Sequence, residues 1–226
     1  MATVLDCARI SADVYNASNL DAPGWQRGAV YQDQAVGEGF FGATYSRGAE
    51  VVIAYRGSVE RVDWTDADAD IARGALPLGQ LADALSYANS VVRAATQRGI
   101  TRVIITGHSL GGGLAQLSAA IRTNAAGVSF NAPGCRSLSG PVALNFCNND
   151  VWNYRTMRDP VSLRGVHVGR PPVSLPVPTS ALEQASAVLG VGGRVVGYLA
   201  GSANEHRMAP MMQALAANGS VAGRVI

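Results

Sequence analysis

The sequence has no lysine. All of its 18 basic residues are arginine, set against 16 acidic ones for a net charge of +2. So small a surplus, with no basic stripe interleaved with aromatics, gives no footing for nucleic acid, and no nucleic-acid partner is expected. Cysteine is equally scarce. Cys7, Cys135 and Cys147 are an odd number and make no disulfide framework. Cys135 and Cys147 flank a loop and would pair only in an oxidising compartment; three reduced thiols are the expectation. Only three histidines occur, and neither they nor the cysteines fall at zinc-ligand spacing. Neither a metal nor an organic cofactor is expected. No apolar run is long enough to span a bilayer. The first residues, MATVLDCARISADVYNASNL, lack a basic segment followed by an apolar block, so no cleaved signal is expected. The localisation this leaves is cytoplasmic, or exported by a route that needs no cleaved signal.

What the chain does have is enough apolar residue for a full core. Its 226 residues are 48% hydrophobic and 15% charged, which predicts one ordered domain spanning 1–226. Apolar residues from Leu5 to Tyr15 predict a first helix. Residues 39–46 predict a strand, the pair Arg47-Gly48 a turn, and EVVIAYRG a strand buried on both faces. Leu78 to Arg98 carries apolar residues at helical spacing, with Gly99 in the position of a C-terminal cap. TRVIITGHS, GVSFNAP and VWNYRTMRD then predict three more strands, with a helix starting at or just after Ser109. PPVSLPVP, 171–178, predicts an extended surface segment, and helices are predicted at about 179–189 and 207–217. Strands that alternate with helices predict an α/β fold, a mostly parallel central sheet with helices on both faces.

The chemistry is concentrated at residues 107–111, Gly-His-Ser-Leu-Gly. A serine between glycines, after a buried strand and before a helix, has the context of a nucleophile elbow. The turn must be sharp, so that the Ser109 hydroxyl stands clear of the sheet edge, and Gly107 and Gly111 let neighbouring backbone approach. Ser109 would then lie at a helix N-terminus, where free N–H groups favour negative charge, and the Leu110 N–H is placed as an oxyanion donor.

A serine hydroxyl needs a base. His108 is adjacent to Ser109, and chain alternation points it elsewhere, which gives it a structural reading. His206, at a loop-to-helix junction near the C-terminus, is the first choice as base; His167, in RGVHVG, is the second. For the acid, Asp159 ends an apparent strand, at the sheet edge where the elbow lies, and precedes Pro160. Asp150, near the start of that strand, is the alternative; Glu183 and Glu205 are weaker. Asp159 would hold the imidazole's tautomer and stabilise the imidazolium.

With these residues in view, the chain resembles the class 3 lipase family of α/β-hydrolases. AYRGSVERVDW resembles that family's arginine-glycine-serine segment with its following tryptophan. GHSLGG, FNAPG and RDPVS resemble its nucleophile, post-strand and aspartate segments, and His206 matches its late histidine. The resemblance implies an α/β-hydrolase fold. It implies Ser58 as a second oxyanion donor through its N–H and hydroxyl, and a lid at residues 59–76 around Trp64. That segment has only Val59, Val62, Trp64 and Ile71 among four aspartates. So thin an apolar face weighs against interfacial activation on triglyceride.

The function expected is a serine hydrolase that cleaves carboxylic esters of lipids through an acyl-enzyme, as a triacylglycerol lipase or carboxylesterase. A phospholipase A1-type effector is the alternative within that class, and FNAPG and the compact size look more like such bacterial members. A non-catalytic binding module on the same fold, and a peptidase or acyltransferase using the same triad, are the rivals outside it. A lipid or small ester is the expected partner, with transient contact at a lipid surface.

Overall fold

The structure, a computed structural model, describes residues 1–16, 22–32, 39–58, 76–136, 146, 148–177 and 206–226. The predicted helix at 179–189 and all but the last residue of the predicted lid, 59–76, lie outside the described residues.

Among the described residues seven strands form one sheet in sequence order: β1 Gln26–Gln32, β2 Phe41–Arg47, β3 Glu50–Tyr55, β4 Val103–His108, β5 Ala125–Phe130, β6 Val151–Thr156 and β7 Val173–Leu175. The first three pair antiparallel and the rest, from β3 to β7, pair parallel. This is the expected mostly parallel sheet with one antiparallel end. Helices α1 (Val4–Asp13), α2 (Leu78–Gln97), α3 (Leu110–Ala120), α4 (Met208–Ala217) and the short α5 (Gly219–Ala222) cover it. One core layer gathers residues of α2 and α3, the other those of α1, α4 and α5, on the two faces of the sheet.

The central strands show why the sequence reads as it does. Every residue of β4 and β5 is buried, and their continuous apolar runs follow from cover on both faces. All 11 residues of α3 are buried as well, which is why this helix is mostly Gly, Ala and Leu, with Gln116 and Ser118 as its polar residues. Helix α1 starts at a reciprocal cap: the Asp6 N–H donates to Thr3 Oγ1 (3.1 Å) and the Thr3 N–H to the Asp6 carboxylate (3.0 Å). Helix α2 ends as predicted at Gly99, whose φ is +78°. The Gly99 N–H returns to Thr96 O and the Ile100 N–H to Ala95 O, closing the helix on its last carbonyls.

One prediction needs correction, and one strand was not predicted. Residues 173–175, inside the stretch expected to lie on the surface, form β7, which pairs parallel with β6 and buries Leu175. Its prolines flank the strand, so the three residues between them keep their ladder hydrogen bonds. Strand β1 carries no signal in the sequence. It is an exposed edge with a register shift between Arg27 and Val30, so neither of its faces needs an apolar row.

Candidate active site

β4 delivers Ser109 at its carboxyl end, where the chain turns straight into α3. Ser109 has φ +56° and ψ −129°, a conformation an L residue adopts only when its surroundings hold it. They do: the Ser109 N–H donates to Phe130 O (3.0 Å) and the Gly113 N–H to Ser109 O (3.1 Å). A methyl group on Gly107 would overlap the Gly111 carbonyl, and one on Gly111 the carbonyl of Tyr55. The two glycines are therefore required by contact, as their spacing predicts.

His206 enters at the start of α4, and Asp159 lies beyond the end of β6. His206 Nε2 is 2.9 Å from Ser109 Oγ, and His206 Nδ1 is 2.8 Å from Asp159 Oδ1. A carboxylate can only accept, so Nδ1 carries the ring proton of neutral His206. Its Nε2 is then a free lone pair facing the serine hydroxyl, which donates to it. Asp159 is fully buried. Burial pushes its carboxyl up, but hydrogen bonding and attraction from His206 and hydrogen bonding from Ser162 outweigh it and hold the carboxyl below its ordinary value. The Ser162 N–H donates to Asp159 Oδ2 at 2.9 Å and the Val161 N–H to Oδ1 at 3.3 Å. Asp159 is thus an ion held by three donors.

The alternatives lie elsewhere. His167 Nε2 faces Ala132 O at 3.0 Å, and burial pushes its pKa down. Asp150 sits at the start of β6, where it bonds Arg102, lies 3.6 Å from Arg170 and accepts from Trp152 Nε1 at 2.9 Å. Glu183 and Glu205 lie outside the described residues. Cys7 and Cys135 are buried free thiols, both pushed up by burial and unsuited to nucleophilic work.

The two expected oxyanion residues flank the nucleophile. Leu110 is the first residue of α3 and its N–H opens the helix. Ser58 follows Gly57, where an added methyl group would lie 3.2 Å from Ser109 Cβ, so the loop after β3 passes directly beside the serine.

Two residues near the site were not singled out by the sequence. Asn131, at φ +46°, accepts from the Thr156 N–H (2.9 Å) and donates to the main-chain carbonyl of His206 (3.2 Å). Its tolerance of the left-handed region was the one available signal. Gln116 is buried in α3; it donates to Pro133 O (2.9 Å) and accepts from the Val168 N–H (3.1 Å), tying the helix to the loop that carries Asp159. Among the described residues no cluster of His, Cys, Asp and Glu could hold a metal ion, and no helix is long and apolar enough to cross a membrane.

Comparison with known proteins gives both a family and a fold. A family model described as phospholipase-like, the Tle-like phospholipase domain, matches residues 6–139, more than half of the chain. The match includes Ser58, Ser109 and Leu110 and stops before Asp159 and His206. No curated protein matches. Among solved structures, the lipase of Rhizomucor miehei in complex with its propeptide superposes with a TM-score of 0.57 at 16% identity. It covers 90% of this chain and 78% of that one. A deletion mutant of that lipase gives 0.53 at 16%, covering 90% and 76%. A mutant of MDLA from Penicillium cyclopium gives 0.50 at 17%, covering 79% and 78%. At such identities the likeness establishes the fold, which is that of the α/β-hydrolase lipases.

Proposed function

This chain belongs to the Tle-like phospholipase domain family, a hydrolase of lipid carboxylic esters, and on that premise we propose that it cleaves the acyl esters of phospholipids through a Ser109 acyl-enzyme. The reading rests above all on one observation: His206 bridges Ser109 Oγ and Asp159 Oδ1 at 2.9 and 2.8 Å. Nucleophile, base and orienting acid within hydrogen-bond reach are what acyl transfer requires.

In the first step His206 Nε2 takes the Ser109 proton as Oγ attacks the ester carbonyl. The carbonyl oxygen becomes an oxyanion, held by the Leu110 N–H and by Ser58. The imidazolium, stabilised by the buried Asp159 carboxylate, returns the proton to the departing alcohol. In the second step water gives a proton to His206 and attacks the acyl carbonyl; the fatty acid leaves and Ser109 recovers its proton. No step calls on a cofactor.

A phospholipid, rather than a short ester or triglyceride, is the substrate because of the family's description and the surface beside the acid. The loop after β6 exposes Met157 (56%), Leu163 (51%) and Val166 (60%), with the exposed Arg164 among them. Apolar side chains beside a cation suit transient contact with an anionic lipid surface.

The test is hydrolysis of phosphatidylglycerol and phosphatidylcholine vesicles, and of p-nitrophenyl esters from acetate to palmitate, by wild type and Ser109→Ala. Release of fatty acid from phospholipid that disappears in the variant is the expected result. Activity confined to acetate and butyrate esters would leave a plain esterase. Full activity in Ser109→Ala would remove the mechanism, and a folded, inactive wild type would favour a binding module.

A further inference from the structure

A second imidazole stands behind the first. The ring of His108 lies 5.0 Å from that of His206, and its polar atoms are all engaged. His108 Nε2 is 2.6 Å from the main-chain carbonyl of His206, and His108 Nδ1 is 3.0 Å from the Tyr15 hydroxyl. Tyr15 in turn receives the Gly57 N–H at 2.9 Å. The proton positions follow without freedom. A carbonyl only accepts, so His108 carries its proton on Nε2 and donates it to His206 O. Its Nδ1 is then a lone pair and accepts from Tyr15 O–H, whose oxygen accepts from Gly57.

The chain of bonds joins four segments far apart in sequence. Three of them end at or next to a residue of the proposed site, and the fourth links them. Gly57 precedes Ser58, His108 precedes Ser109, and His206 is the base itself; Tyr15 comes from the turn after α1. Resting on the triad reading above, we propose that Tyr15 and His108 are positioning residues of the ester hydrolysis: one hydrogen-bonded strap that fixes the oxyanion loop and the main chain of His206 at a set separation.

The chemistry needs such a strap. The base and the Ser58 donor stand on two loops, and the tetrahedral intermediate must meet both. Neither loop is fixed by its own sheet ladder at that point. A misplacement of about 1 Å costs about a hundredfold in rate. The strap also uses a neutral imidazole. Burial, and then the neighbouring His206, push His108 down to about 3, so it adds no second cation beside the imidazolium that forms at His206. Asn131 gives the same His206 carbonyl a second donor at 3.2 Å, so the base is gripped from two sides.

The experiment compares wild type, Tyr15→Phe, His108→Gln and the double variant. Each is followed by kcat and KM on a soluble p-nitrophenyl ester and by the rate at which a fluorophosphonate labels Ser109. Tyr15→Phe removes one oxygen and keeps the ring, so it folds on the same core. The strap predicts that kcat and the labelling rate fall together by about ten- to a hundredfold, with KM within about twofold of wild type. It also predicts that the double variant loses no more than the worse single one, because both cut the same connection. Wild-type kcat in Tyr15→Phe, a change in KM alone, or losses that multiply in the double variant would each overturn the proposal. If His108→Gln does not fold, the Tyr15→Phe split between kcat and KM decides alone. A wild type that neither turns over ester nor takes up the label would instead remove the triad reading, and the strap with it.

Discussion

Acidification tests the inner imidazole directly, through stability rather than activity. His108 is 7% exposed, with Tyr15 O–H at one nitrogen, the His206 carbonyl at the other, and the His206 ring and Asp159 carboxylate beyond. Its folded pKa is about 3, against an ordinary 6.5. A depressed value means that the unfolded chain takes up the proton first. The stability it contributes is whole above 6.5 and is lost as pH falls toward 3. At about pH 5 an unfolded imidazole is almost wholly protonated and the folded one is neutral. The difference, integrated from about pH 7 to about pH 5, is about 2 kcal/mol, and any folded value below about 4 gives nearly the same figure. The assay is urea unfolding at the two pH values for wild type and His108→Gln, whose side chain does not titrate. Other groups titrate in both proteins and drop out of the comparison. With a urea slope of about 2–3 kcal/mol/M, the wild-type midpoint should fall by about 0.7–1 M more than that of the variant. Equal falls would mean that folded His108 protonates as freely as in water, against its burial and the neighbouring His206; the acceptor role assigned to its Nδ1 would then be wrong.

Three further outcomes are expected. Asp159→Asn should lower kcat by about ten-thousandfold with the fold intact, because an amide can donate to Nδ1 and stabilise the wrong tautomer; kinetics on a soluble ester, with circular dichroism as the folding check, decide it. Gly111→Ala should fail to give a stable fold, since the new methyl meets the rigid carbonyl of Tyr55 rather than a side chain that can move; soluble yield and thermal unfolding report this. Thr3→Ala should cost about 1 kcal/mol of stability by opening the reciprocal cap of α1, with kcat unchanged, as read by urea unfolding and ester kinetics.

The amino-acid sequence by itself determined the central strands, α2 and its glycine stop, and the elbow. These are features of one segment each: a continuous apolar run, a helical period, and two glycines that must touch backbone around a serine. It also determined which acid and base to consider, because a late histidine and an aspartate at a strand's carboxyl end fall at one edge of a parallel sheet. Ser109, His206 and Asp159, first choices on those grounds, are the three that the structure brings within hydrogen-bond reach. Tertiary structure decided the rest, and for one physical reason. An edge strand such as β1 and a three-residue strand such as β7 are stabilised by ladder partners distant in sequence, so their own residues need carry no pattern. The same holds for the polar contacts. That Asn131 grips the His206 carbonyl, that Gln116 spans helix and loop, and that Tyr15 reaches Gly57 through space are facts about segments 17 to 75 residues apart. A reading along the chain assigned His108 to structure because its neighbour is the serine. Only the packing of four distant segments brings its ring against the His206 carbonyl and the Tyr15 hydroxyl.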